Sequence, residues 1–172
     1  KKKKSTVYEK NGMHANGSTG VAVLRRDGFV SYSAQKEKGT LVTRPVTFTG
    51  EYLFVNVNCP NGELKVEVLD ADNKVIQGFS ANDCKPLTVD STIAQIRWKN
   101  KKDLSTLKSQ PLRFKFYLTN GDLYSFWVSP DTEGASNGYN AAGGPGFSGG
   151  IDKEGMRAYK KAQDFPNLLE RC

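Results

Sequence analysis

From Val21 to Val128 the chain is a succession of short runs rich in β-branched and aromatic residues, and no stretch carries a sustained helical period. The runs are cut by Asp27-Gly28, Gly50-Glu51, Asn61-Gly62, Ala71-Asp72-Asn73, Gln77-Gly78 and Asn120-Gly121, all rich in residues that tolerate a positive φ. This pattern predicts an all-β sandwich or barrel. In ELKVEVLDADNKVIQGF, Leu64, Val66 and Val68 alternate with Lys65 and Glu67, and Asp70 to Asn73 turn the chain, which predicts a hairpin with one buried face. PLRFKFYLTNGDLYSFWVS repeats the device: Leu112, Phe114, Phe116 and Leu118 oppose Arg113, Lys115 and Tyr117, with Asn120 and Gly121 as the expected hairpin turn. In TIAQIRWK, Ala94, Ile96 and Trp98 oppose Gln95, Arg97 and Lys99, so Trp98 is assigned to the core. YLFVNVN is apolar on both faces and predicts a central strand covered on both sides.

After Pro130 the composition shifts to DTEGASNGYNAAGGPGFSGG, which reads as a long loop or linker anchored only by Tyr139 and Phe147. One short helix is expected from about Asp152 to Asp164, stopping before Pro166. The chain of 172 residues therefore divides into a linker or end of a preceding domain (1–17), one β-sandwich domain (18–130), and a Gly-rich loop and tail with a short helix (131–172).

Charge changes the picture only modestly. Lys and Arg exceed Asp and Glu by 25 to 18, giving +7, which permits an anionic partner such as nucleic acid or an acidic polysaccharide. Four of those lysines open the chain as KKKK, a solvated run, and the remainder is mildly basic. Three cysteines are too few for a disulfide framework, and a Cys59–Cys84 bridge and two free buried thiols fit the sequence equally. No apolar run approaches the ~18 residues of a membrane span.

Several chemistries lack their residues. The one histidine is His14, so no serine or cysteine is given a histidine base by a recognisable motif, and no C-x-x-C or paired histidine offers zinc a site. GGPG at Gly143 to Gly146 lacks the phosphate-loop lysine, and LDADNK lacks the EF-hand spacing and reads as a hairpin turn. No cofactor is implied, although a structural calcium ion elsewhere in a sandwich is compatible with the sequence. The triplet NGS at Asn16 is a glycosylation sequon that matters only in a glycosylating secretory pathway. What remains is a surface: Gln95, Arg97, Lys99, Arg113, Lys115 and Tyr117 lie on the outer faces of two strands and form one patch if those strands are neighbours. Such a patch suits a glycan, through an aromatic ring and charged or amide groups; an ordinary solvated face has the same composition.

NGSTGVAVLRRDGFVSYSA, the segment from GTLVTRPVTFTGEYLFVNVNCPNGELKVEVLDADNKVIQGFSANDCKPL to IAQIRWK, and PLRFKFYLTNGDLYSFWVSP together resemble the C-terminal β-sandwich appended to propeller-type glycoside hydrolases of bacteria. The resemblance covers about Asn16 to Pro130 and extends to the loop GYNAAGGPGF. It implies a jelly-roll sandwich of the lectin and glucanase kind. It also implies a non-catalytic accessory role beside an upstream catalytic domain of the same parent chain, a polysaccharide as partner, and a secreted parent, extracellular or periplasmic. An acidic or sulfated glycan fits the basic face. Nucleic acid ranks below it because no groove-reading helix or stacking motif accompanies the charge, and no membrane partner is expected. Arg25, Arg26 and Asp27 fall in a recurring turn of the resemblance; Asp27 is expected to be structural, while Arg25 and Arg26 suit a binding loop and a structural turn equally.

Overall fold

The structure is a computed structural model that describes Gly20, residues 24–139 and residues 146–163. The lysine opening, His14, the Asn16 sequon, Cys172 and most of the GGPG segment lie outside the described residues. Seven strands form two antiparallel sheets: β1 (Tyr32–Ala34), β2 (Gly39–Val42), β3 (Tyr52–Asn58), β4 (Glu63–Leu69), β5 (Asp90–Gln95), β6 (Arg113–Thr119) and β7 (Gly121–Ser129). A 3-10 turn spans Ser105–Leu107, and a single helix among the described residues, α1, spans Met156–Gln163. One sheet has the order β1-β7-β3-β5 and the other β2-β6-β4. Every consecutive pair of strands crosses from one sheet to the other, with Val75 bridged to Leu69 beyond β4. That alternation makes the architecture an all-β jelly-roll sandwich, and the sheets do not close into a barrel. No described helix is long and apolar enough to cross a membrane.

The alternation of side chains explains the core. Leu53, Val55 and Val57 of β3, Leu64, Val66 and Val68 of β4, and Phe114, Phe116 and Leu118 of β6 are all buried between the sheets. Phe126 of β7 meets Phe114 and Phe116 with ring centroids at 5.9 and 5.2 Å. Trp98 is buried as expected, edge-on to Phe79 at 5.2 Å, and its indole N–H donates to the Val66 carbonyl at 3.0 Å. Without that acceptor the indole N–H would be a buried unpaired donor. The two central cysteines are free thiols: Cys59 donates to the Leu87 carbonyl and Cys84 accepts from the Val66 amide. Burial pushes both thiols above their ordinary pKa, which keeps them protonated and unreactive.

The turns follow the sequence with one exception. Asp70 accepts from the Asp72 and Lys74 amides, Asn73 takes a φ of 62°, and Ile76 N–H returns to the Val68 carbonyl, so LDADNK closes a hairpin. Asn120 and Gly121, in contrast, do not close one. Asn120, at φ 47°, carries the chain from β6 in one sheet to β7 in the other, because β6 is already flanked by β2 and β4. Gly121 is required there, since a Cβ would sit 2.5 Å from Cys59 Cβ.

The outer face of the four-stranded sheet is where β3 gains its second cover. Phe54 and Asn56 point away from the core yet are fully buried. Phe54 stacks on Trp127 at 5.9 Å, and the segment after β7 lies across it at Gly134, whose φ is 78° and whose carbonyl accepts from Trp127 Nε1 at 3.0 Å. Any Cβ at Gly134 would meet the Phe54 ring at 2.7 Å. The glycine-rich segment therefore buries more than its composition suggested. Its anchors also differ from those expected: Tyr139 is exposed, while Ala135, Asp152 and Ala158 are buried. Phe147 does pack, edge-on to Tyr159 of α1 at 6.3 Å, and Tyr159 reaches Thr92 of β5 at 3.0 Å.

Asp152 holds this covering segment. Its carboxylate accepts from Arg26 Nη2 at 2.7 Å, from the Ser136 amide and hydroxyl, and from the Gly155 amide at 2.8 Å. Burial acts to raise its pKa, but the Arg26 hydrogen bond, those from Gly155 and Ser136, and the Arg26 charge together hold the carboxyl below the usual range. Removing one partner of a buried pair leaves the other uncompensated, so Asp152→Ala is expected to cost about 3–5 kcal/mol in chemical denaturation. A carboxylate with a lowered folded pKa contributes stability that is present above its unfolded value near ~3.9 and is lost as pH falls through the folded value. Thermal melts of the wild-type chain should therefore fall below about pH 4, and Asp152→Asn should flatten that fall; an Asp152→Asn chain with an unchanged acid limb would refute the assignment.

Candidate functional site

The six surface residues singled out in the sequence do not form one continuous sheet face. Gln95 ends β5, at an edge of the four-stranded sheet, whereas Arg113, Lys115 and Tyr117 lie on β6, at the centre of the three-stranded sheet. The strands are not neighbours because each consecutive strand changes sheet. Arg97 and Lys99 follow β5 in a turn outside the strand.

On the three-stranded sheet the outward residues of β6 are interleaved with charge from β4. Tyr117 is opposite Lys65 and Thr40, and Lys115 is opposite Glu67 and Val42. The Tyr117 hydroxyl donates to Glu67 Oε1 at 2.6 Å, and Lys115 Nζ is 3.3 Å from the same oxygen. Lys38 and Lys115 place their ammonium groups over the Tyr117 ring, 5.1 and 4.9 Å from its centroid. Tyr117 thus positions cations and is not a free stacking platform. Arg113 is set apart, donating to the Thr43 carbonyl at 3.1 Å. Beside Tyr117 a depression of about 330 Å³ is lined by Lys38, Lys65, Glu67, Ser80 and Asn82 among others.

The loop Ser80–Cys84 joins this depression to the turn after β5. Ser80 donates to Asp83 at 2.6 Å, the Lys99 amide donates to the Asp83 carbonyl at 2.9 Å, and Lys99 Nζ donates to the Asn82 carbonyl at 3.1 Å. The Lys85 amide donates to the Arg97 carbonyl at 2.8 Å, and Trp98 is bridged to both Cys84 and Lys101. Lys85, Arg97, Lys99, Lys101 and Lys102 are therefore gathered around one tight turn. All are exposed, and none makes a salt bridge among the described residues. Arg97 is oriented instead by a bidentate bond to the Gln95 carboxamide oxygen, at 3.0 and 2.8 Å. Five cations on a short framework pinned by Trp98, with Lys101 over the Phe79 ring at 5.4 Å and Lys102 beside Asp103, make a local positive field next to a polar depression.

The arginine pair at the first turn has another use. Arg25 donates to Asn56 Oδ1 at 2.6 Å, to Asp90 at 2.5 Å and to the Val57 carbonyl at 3.0 Å, and it lies over the Tyr124 ring. Arg26 is tied to Asp152 and lies 5.4 Å from the Phe147 ring centroid, while Asn56 donates back to the Arg26 carbonyl at 2.5 Å. Both guanidiniums are committed internally, Arg25 to Asn56, Asp90 and Val57 and Arg26 to Asp152. Asp27 takes the positive-φ place of the turn and lies 3.5 Å from Arg26, but accepts no backbone amide among the described residues. Trp127 is likewise covered rather than presented. Among the described residues no three His, Cys, Asp or Glu side chains are gathered to hold a metal ion.

Sequence reasoning missed Lys38, Lys65, Glu67, Asn82, Lys85, Lys101 and Lys102. Lys65 and Glu67 carried a usable signal, since they alternate with the core residues of β4 and so share the outward face with β6. The others sit in loops, whose proximity depends on how the sheets are connected.

Burial, and next the bond to Glu67, push the Tyr117 phenol above its ordinary pKa, with Lys115 opposing. In a pH titration followed by tyrosine ring carbon NMR, Tyr117 is expected to titrate above ~10, and Glu67→Gln to bring it back toward that value. A Tyr117 titration unchanged by Glu67→Gln would break the link between the two groups.

Comparison with protein-family models, with curated proteins and with solved structures finds no match for the chain.

Proposed function

We propose that this β-sandwich is a non-catalytic carbohydrate-binding module that holds an acidic or sulfated polysaccharide at the turn formed by Lys85, Arg97, Lys99, Lys101 and Lys102 and the adjoining depression beside Tyr117. The observation that carries the reading is the clustering, on one turn next to a polar hollow, of exposed cations that make no salt bridge among the described residues. Sulfate and uronate groups accept charge-assisted hydrogen bonds from ammonium and guanidinium donors, and Arg97 is already oriented by Gln95. Asn82 and Ser80 offer neutral donors and acceptors to the hydroxyl groups between the charges. The resemblance to accessory sandwiches of propeller-type glycoside hydrolases supports a polysaccharide over nucleic acid as the polyanion, a catalytic domain elsewhere in the parent chain, and a secreted setting.

Affinity gel electrophoresis against sulfated, uronic-acid and neutral polysaccharides tests this directly. Retention is expected on at least one anionic class, with loss as salt shortens the Debye length from about 10 to about 3 Å between 0.1 and 1 M. Arg97→Ala with Lys99→Ala and Lys101→Ala should weaken retention at least tenfold; equal retention by that variant would remove the site.

A second reading is a ligand-free module that packs on and stabilises the neighbouring catalytic domain. It is favoured by Phe29 and Val30, which are 85% and 77% exposed in one short segment with Leu24 nearby. Deleting the module from the parent would then lower its melting temperature, as would Phe29→Ser; a parent unaffected by either change would exclude this role.

A further inference from the structure

At one end of the four-stranded sheet, residues of three neighbouring strands fall in one cross-strand row. Ser33 of β1 is opposite Asp122 of β7, and Asp122 is opposite Asn58 of β3. Adjacent strands are about 4.8 Å apart, so these side chains are spaced closely enough for one small ligand to touch all three. The row is walled by the connections β3–β4 and β6–β7. Together they enclose a hollow of about 370 Å³, lined by Ser33, Gln35, Asn58, Asn61, Asn120 and Asp122.

The frame of this hollow is fixed by its own bonds. Asn120 donates from its backbone to the Gln35 carbonyl at 2.7 Å and from its side chain to the Asn61 carbonyl at 2.9 Å. Ser31 and Ser33 both donate to Asp122 Oδ1, which fixes the orientation of that carboxylate. Other polar groups are left over. Among the described residues the carboxamides of Gln35, Asn58 and Asn61 and the second Asp122 oxygen make no hydrogen bond, although Asn58 and Asp122 are half-buried on rigid strands.

We infer that this hollow is a second binding site, for a neutral sugar or polyol that presents adjacent hydroxyl groups. A carboxamide both donates and accepts and a carboxylate only accepts, so Asn58 beside Asp122 matches two neighbouring hydroxyls. Hydrogen bonds to the charged partner are the stronger ones. Among the described residues no Lys, Arg or His lines the hollow, so it has no positive charge to favour an anion, and its single carboxylate is a poor set for calcium. The site is separate from the cationic turn proposed above and does not depend on that reading.

The test is amide NMR of the full 172-residue chain titrated with the methyl glycosides of glucose, mannose and galactose. The titration is run near 1 M salt, where the Debye length is about 3 Å and charge attraction at the cationic turn is screened. Saturable shifts are expected at Gln35, Asn58, Asn61 and Asn120 with at least one glycoside. Asp122→Ala should weaken binding about tenfold or more. Asn58→Ala, which removes no internal side-chain bond among the described residues, should weaken it as well while leaving the fold intact. The inference is overturned by an absence of saturable shifts at these residues, by shifts confined to the Tyr117 and Lys65 region, or by binding that Asn58→Ala leaves unchanged.

Discussion

A carboxamide buried in the middle of a strand sets the order of this molecule. Asn56 is fully enclosed, and an enclosed amide without partners would cost several kcal/mol. Its oxygen is satisfied by Arg25 and its nitrogen by the Arg26 carbonyl, so the turn before β1 must lie over β3. Arg26 then brings a charge to a place that needs a counter-charge, and Asp152 supplies it from the far end of the chain. Asp152 in turn organises Ser136 and the approach to α1. One buried polar residue in a largely apolar strand thus determines where the Arg25–Gly28 turn and α1 rest.

Much of the fold was legible in the sequence because alternation in strands is a short-range signal. The inward residues of β4 and β6, the core place of Trp98, the double cover of β3 and a helix near its observed position all follow from local pattern. The hairpin expected at Asn120 was not, since a two-residue turn looks alike whether it joins partners in one sheet or passes between two. The covering role of the Gly-rich segment was hidden for a related reason. Gly134 is small because it lies against Phe54, and that need is invisible without the neighbour.

The candidate site was legible in part. Arg97, Lys99, Lys115 and Tyr117 were recognised by chemistry, but their grouping was read from strand faces, and the loop Ser80–Cys84 is what actually connects them. Lysines 101 and 102 escaped because no strand period reaches them. The arginine pair shows the opposite case, in which residue type suited a binding loop and only the position of Asn56 and Asp152 reveals an internal duty.

The alternation of every consecutive strand between the two sheets has a consequence for how the chain reaches this state. Each pairing among the seven strands closes a long loop, while the pairings near in sequence, such as Leu69–Val75 and Trp98–Lys101, are single bridges, so loop entropy is spent before contacts compensate it. Such topologies fold on the slow side, in milliseconds to seconds, from a nucleus that must already contain distant segments. An emerging chain holds β1, β3 and β5 without β7, the strand that joins β1 to β3, so the four-stranded sheet assembles only once residues up to about Ser129 are present.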